Sequence, residues 1–228
     1  PNPNLKNEAL ALAAESDVVI LCLGLSPMLE GEEMKVKVPD FDSGDRIDIQ
    51  LPASQRELIS EIRKLGKPTV LVLLNGSAVS LSDDALQLPA ILEAWYPGQA
   101  GGTAIADVLF GDYNPSGRLP VTFYKSVAQL PAFDDYDMQG KTYRYFGGTP
   151  QFMFGHGLSY SNFKYEWRNL PSDIKAGETL KIEVLVSNTS QRDGDEVVQL
   201  YVSHPEFVSR KSIRSLQGFE RIHIKAGE

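Results

Sequence analysis

Three largely apolar runs of strand length constrain this chain more than any other feature. Residues 18–23 read VVILCL, residues 69–74 read TVLVLL and residues 90–96 read AILEAWY. Ahead of the first run, Leu5, Ala9, Leu12 and Ala13 share one face of a helix predicted over residues 5–15. Leu58, Ile59, Ile62 and Leu65 form the same stripe ahead of the second, and Gly66 is placed to end that helix as a left-handed cap. A short helix after residues 81–84 precedes the third run, and another is predicted over residues 103–110. Helix and strand alternating on short connections give an α/β layered sandwich with a mostly parallel sheet. Because the runs do not alternate in polarity, the strands are expected to be covered on both faces. Ligands of such sheets sit outside the carboxyl ends of the strands, which points to the loops after Leu25, Leu74 and Tyr96.

Beyond Tyr124 the helical period disappears. Residues 126–162 are rich in aromatics, glycine and aspartate and read as an irregular connector. A period of two then takes over, with Leu180, Ile182, Val184 and Val186 on one side of one segment and Val198, Leu200 and Val202 on one side of another. This pattern predicts antiparallel strands with one dry face. Strands are expected near residues 163–169, 179–187, 196–203 and 219–225. An immunoglobulin-type sandwich has roughly seven, so an incomplete all-β sandwich and a fragment of a longer chain are expected. The resulting division is an α/β domain over residues 1–125, a connector over 126–162 and a β domain over 163–228.

Composition excludes several partners. A net charge of −8 over 228 residues argues against nucleic acid, which requires a basic face. No apolar run approaches the roughly 18 residues of a membrane span, so no membrane partner is expected. The single cysteine, Cys22, lies in the first apolar run and is expected to be a small buried hydrophobe; it rules out an internal disulfide framework. His156, His204 and His223 are scattered without metal-ligand spacing, and neither a metal nor a cofactor is expected.

The loop after the first run carries the sharpest chemistry. Glu30, Glu32 and Glu33 crowd together in LEGEEM, and crowded carboxylates repel, raising the pKa of at least one toward what a general acid requires. A solvated acidic loop is the plainer reading of the same spacing. Asp45 and Arg46 follow, as an ion pair holding the loop or as groups for a sugar hydroxyl. Pro52, Ala53, Ser54 and Gln55 read as a helix start with Ser54 as a cap. The turn from Gly98 to Gly102 opens a helix but lacks the lysine of a phosphate loop, so tight packing of helix on sheet explains it better. No G-x-S-x-G elbow supports a serine triad. The connector aromatics Tyr136, Tyr143, Tyr145, Phe146, Phe152, Phe154 and Tyr160 suit either a sugar site or packing of the two domains.

Taken in order, GLSPMLEGEEM, GDRIDIQLPASQRELI, WYPGQAGGTAIADVLFGDYNPSGRLPVTF, TYRYF, FGHGLSYSNF and SLQGFERIHIKAGE resemble the carboxyl-terminal half of family 3 glycoside hydrolases over nearly the whole chain. The resemblance is nearest to bacterial β-xylosidases, with β-glucosidases close behind. It implies an amino-terminal (β/α)8 barrel absent from these residues, then an α/β sandwich and a fibronectin-III-like domain. It further implies a retaining hydrolysis of terminal β-linked xylose or glucose from an oligosaccharide, with an aspartate nucleophile on the barrel and an acid/base glutamate from this chain. Glu32 falls at that glutamate's position, with Glu30 as the runner-up and Asp45 and Arg46 as substrate-binding residues. Alone, such a chain is expected to be inactive. A periplasmic or secreted bacterial location follows from the family only. The competing reading is a non-catalytic carbohydrate-binding or interaction module.

Overall fold

The computed structural model describes residues 3–30, 39–42, 45–203 and 212–228. They fall into two compact units. One comprises Pro1–Ile105 with Val121–Met153, and the other Ala106–Pro120 with Phe154–Glu228.

The first unit follows the apolar runs. Helix α1 (Pro3–Glu15) leads into strand β1 (Val19–Gly24), and the two-residue strands β2 (Phe41–Asp42) and β3 (Asp45–Arg46) pair antiparallel after it. Helix α2 (Ala53–Lys64), strand β4 (Thr69–Leu74), the single-turn helix α3 (Asp83–Leu86) and strand β5 (Ala90–Glu93) complete the alternation. Helix α4 (Gly101–Phe110) contains the division between the units, and a one-turn helix α5 (Thr142–Tyr145) closes this part of the chain. The sheet has the order β1-β4-β5 and is parallel throughout, with Val19 opposite Thr69 and Val70 opposite Ala90. The α/β class read from the sequence is therefore present.

The core covers both faces of the central strand β4. Ile59 and Ile62 of α2 and Leu71 and Val72 of β4 are fully buried, and Val19 and Leu21 of β1 are nearly so. Gln55 in the first turn of α2 donates to Gly24 O at 2.7 Å and accepts from Gly24 N at 2.9 Å, which docks the helix on the carboxyl end of β1. Two local expectations change. Pro52 rather than Ser54 occupies the N-cap position, without a side-chain cap, whereas Gly66 does follow the helix at φ +68°. Strand β1 is not covered on both faces either: Ile20 is 46% exposed, and Cys22 is exposed rather than buried. β1 is an edge strand of the described sheet: Val19 and Leu21 share the buried face of Leu71, whereas Ile20 and Cys22 share the face of Val72, which is covered at β4 but not out to the edge. An unbroken apolar run does not reveal that asymmetry.

The second unit is antiparallel. β6 (Phe163–Asn169) pairs with β7 (Glu183–Asn188), and β8 (Gly194–Ser203) pairs with β9 (Arg214–Ile224). Period two is visible in β7, but its inward side chains Val184 and Val186 are only half-buried, and Leu180 precedes the strand and is exposed. The dry face expected from alternation is thus a partly covered one, because each described sheet here has only two strands. Buried side chains compensate as anchors. Asn188 donates to Arg192 O at 2.7 Å and Ile224 O at 3.1 Å, and Asn114 donates to Asp193 O at 2.8 Å. Arg118 makes a bidentate pair with Glu196 at 2.8 and 2.9 Å, both side chains nearly out of solvent. No described helix is long and apolar enough to cross a membrane.

Removing one partner of a buried pair strands the other charge. Arg118→Ala is expected to destabilise the chain by about 3–5 kcal/mol in urea unfolding, and Arg118→Met with Glu196→Leu by much less. Equal costs for the two variants would contradict the reading.

Candidate active site

Parallel pairing puts the carboxyl ends of β1, β4 and β5 side by side, and the loops that leave them build one polar cluster. After β1, a turn closed by Glu30 N–H on Ser26 O at 3.0 Å presents Glu30. After β4, Asn75, Gly76 and Ser77 turn back over the sheet. After β5, Ala94 N still bonds Leu73 O at 2.9 Å, and then Trp95 takes φ +55°. That conformation is costly for a residue with a side chain. It ends the strand at Glu93 instead of Tyr96, as the apolar run alone had implied, and it turns Tyr96 toward the β1 loop.

Glu30 is the centre of the cluster. Its Oε1 accepts from Ser77 Oγ at 2.6 Å, and its Oε2 accepts from the Tyr96 hydroxyl. The Nε of Arg46 lies 3.7 Å from Oε1, while Nη2 of the same guanidinium donates to Ala78 O at 2.9 Å. Nη1 of Arg46 is buried and has no hydrogen-bond partner among the described residues. Burial holds this guanidinium below its usual pKa, with Glu30 the first of the groups opposing that effect. Burial of the Tyr96 phenol, then its bond to Glu30, push that pKa above the usual value. Gly76 is required for this arrangement, since a Cβ there would stand 2.6 Å from the Tyr96 ring.

A second set of groups adjoins this cluster. Asn75, with no exposed surface, donates from Nδ2 to Ser77 O at 2.9 Å and makes a longer 3.4 Å contact with Glu93 Oε2. Glu93 Oε1 accepts the Trp95 N–H at 3.1 Å. Burial pushes the Glu93 carboxyl up from 4.5 to about 7, while its two hydrogen bonds pull the other way. The Trp95 indole is fixed edge-on to Phe123, with ring centroids 6.0 Å apart.

Of the residues nominated from sequence, Glu30 and Arg46 meet here, and Arg46 pairs with Glu30 rather than with Asp45, which is exposed. Glu32 and Glu33 lie outside the described residues, as does His204. Ser77, Tyr96, Asn75 and Glu93 were not singled out. A lone carboxylate inside the apolar run AILEAW was the available signal for Glu93. A Cβ at Gly101 would meet Pro97 Cβ of the same turn at 2.4 Å, while Gly98 and Gly102 have nothing within 4 Å, so the close approach is within the turn and not between helix and sheet. Of the connector aromatics, Phe146 packs on Tyr124 and Phe152 on Phe123, while Tyr136 is exposed. Among the described residues, no three histidine, cysteine or acidic side chains gather as a metal site would require.

An α/β domain whose ligand end is organised around one carboxylate, with antiparallel strands after it, is the class that fold and site define. Comparison with known proteins makes this particular. Residues 2–160 match the glycosyl hydrolase family 3 C-terminal domain, and residues 196–228 match a fibronectin type III-like domain. The chain belongs to glycosyl hydrolase family 3. It is 45% identical to a xylan 1,4-β-xylosidase of Xylanibacter ruminicola over 97% of its own length and 25% of the relative's. It is 38% identical to a periplasmic β-glucosidase of Salmonella typhimurium over 97% of its length and 29% of that protein. A β-glucosidase structure from Erythrobacter marinus superposes with a TM-score of 0.81 at 40% identity, covering 100% of this chain and 30% of the other. The chain thus spans between a quarter and a third of the length of these relatives.

The Glu93 carboxyl yields a pH prediction. Below about pH 4.5 it is protonated in folded and unfolded chains alike, whereas between 4.5 and 7 only the unfolded chain gives up the proton. Stability therefore falls as pH rises through that window, by about 2 kcal/mol once partial solvent screening is allowed for. Glu93→Gln should remove this component. Urea unfolding at both ends of the window should show the variant gaining on the wild type as pH rises, and parallel curves would contradict the assignment.

Proposed function

We propose that this chain contributes the acid/base carboxylate of a retaining β-glycosidase that releases terminal xylose or glucose from β-linked oligosaccharides. The observation that carries the reading is Glu30, a carboxylate at the ligand end of a parallel sheet with a separate hydroxyl on each of its oxygens. Ser and Tyr hydroxyls both donate and accept. They donate to the carboxylate and can accept from the carboxylic acid, so one geometry serves both halves of an acid/base cycle. The names of the xylosidase and glucosidase relatives support the substrate class.

In this scheme an aspartate on an amino-terminal barrel, outside these residues, attacks the anomeric carbon. The acid/base glutamate gives its proton to the departing glycosidic oxygen, and the electron pair of the broken C–O bond stays with that oxygen. In the second half the same glutamate, now a carboxylate, takes a proton from water as the water oxygen displaces the aspartate. Family resemblance favours Glu32 for this glutamate; Glu30 is the one of the two that lies among the described residues, the hydroxyls on both of its oxygens support the role, and we adopt it. Arg46, beside it, and Asp45 are proposed contacts to the sugar. With no barrel nucleophile the 228 residues do not turn over by themselves, and release of nitrophenol from a nitrophenyl xyloside by the pure chain would refute that.

In the enzyme with its barrel, Glu30→Gln should slow hydrolysis of glycosides with poor leaving groups by about two to four orders of magnitude. Activated nitrophenyl glycosides should be much less affected and should be accelerated by azide. The same signature at Glu32→Gln, with Glu30→Gln neutral, would transfer the role to Glu32. Neutrality of both, with saturable sugar binding by the chain, would support a non-catalytic module instead.

A further inference from the structure

The Glu30 cluster is assembled from two loops that would otherwise be independent. One supplies Ser77 to Oε1 and the other supplies Tyr96 to Oε2. Neither hydroxyl is placed by its own backbone alone. Tyr96 follows a residue in the left-handed region, a conformation that persists only where neighbouring groups over-determine it. Ser77 sits in a turn whose carbonyl is held by the buried amide of Asn75.

Glu93 touches both arrangements. Through Oε1 it takes the N–H of the strained Trp95, and through Oε2 it meets the amide of Asn75. The two loops that carry the hydroxyls therefore meet at one half-buried carboxyl at the end of β5, itself without direct contact to Glu30 among the described hydrogen bonds.

We propose that Glu93 is a positioning residue for the acid/base carboxylate, stapling the Trp95–Tyr96 turn to the Asn75–Ser77 turn so that both hydroxyls reach Glu30. The proposal deepens the reading of Glu30 given above and rests on it. Glu93 makes no contact with substrate in this scheme; it acts through Tyr96 and Ser77.

The test uses the enzyme with its barrel and a pair of aryl glycosides, one with a poor and one with an activated leaving group. Glu93→Leu fills the space without an acceptor. It should lower kcat on the poor leaving group at least tenfold with KM within about twofold, and leave the activated substrate within about threefold. Glu93→Gln keeps an acceptor for the Trp95 N–H and should recover most of the loss. In a Ser77→Ala, Tyr96→Phe background, Glu93→Leu should have almost no further effect. An equal fall on both substrates, no fall on either, a Glu93→Gln as impaired as Glu93→Leu, or a full effect in the double-variant background would each overturn the proposal. Glu93→Ala replaces Glu93→Leu, with the same outcomes, should the latter not fold.

Glu30→Gln measured in parallel separates this proposal from the reading beneath it. If Glu30→Gln leaves the poor substrate unaffected, that reading fails. The staple is then judged by a crystal structure of the Glu93→Leu enzyme: a Tyr96 hydroxyl displaced from Glu30 supports it, and one still bonded to Glu30 overturns it.

Discussion

The parallel register of β1, β4 and β5 is the constraint on which the rest of the site depends. Gly24 stands opposite Leu74, and Leu73 stands opposite Glu93, so all three chains leave the sheet at one end. In an antiparallel sheet of the same strands one of the three loops would leave from the far end. Here they meet, and a carboxylate from the first finds hydroxyls from the second and third. The buried apolar face under them, built by Leu71, Ile59 and Ile62, keeps the strand ends in register. Packing of α2 on that face, with Gln55 bonded to both polar groups of Gly24, ties the β1 loop to the same frame.

Polar groups near a sheet end are costly unless they are hydrogen-bonded. This cluster meets that requirement. Glu30 and its two hydroxyls are partly exposed, Asn75 beside them has no exposed surface, and the half-buried Glu93 meets the Asn75 amide and the Trp95 N–H. Two atoms depart from the pattern, since Arg46 Nη1 and Asn75 Oδ1 are buried without partners among the described residues. Both belong to residues that also hold the cluster together, Arg46 through Ala78 O and Asn75 through Ser77 O. Hydrogen bonds on both oxygens fix where the Glu30 carboxylate sits, and the proposed acid/base role depends on that, because a displacement of a single ångström degrades proton transfer.

The strands were legible because TVLVLL and VVILCL are runs of strand length, rich in β-branched residues and bounded by Pro68 and Asn75-Gly76 and by Asp17 and Gly24. Which face of β1 is covered was not legible, since Ile20 and Cys22 are as apolar as Val19 and Leu21. The rule that ligands gather at the carboxyl ends of parallel strands pointed to the three loops whose side chains form the Glu30 cluster. It did not choose residues within them. Glu30 stood out as a carboxylate among carboxylates, whereas Ser77 and Tyr96 belong to types common in any turn, and only the left-handed Trp95 brings Tyr96 inward. The pairing of Arg46 with Glu30 was missed because Asp45 is its neighbour in sequence, yet adjacent residues of a strand point to opposite faces. In the β domain, alternation revealed the strands but overstated how dry their inner face is.

The central claim is that the carboxylate held by Ser77 and Tyr96 is the one that serves the leaving group. It is tested most directly by a crystal structure of the enzyme with its barrel, trapped as a covalent glycosyl-enzyme with a 2-fluoro sugar. The account predicts Glu30 within hydrogen-bond distance of the water poised over the anomeric carbon, with Ser77 and Tyr96 still bonded to it. Another carboxylate in that position, with Glu30 turned away from the sugar, would contradict it.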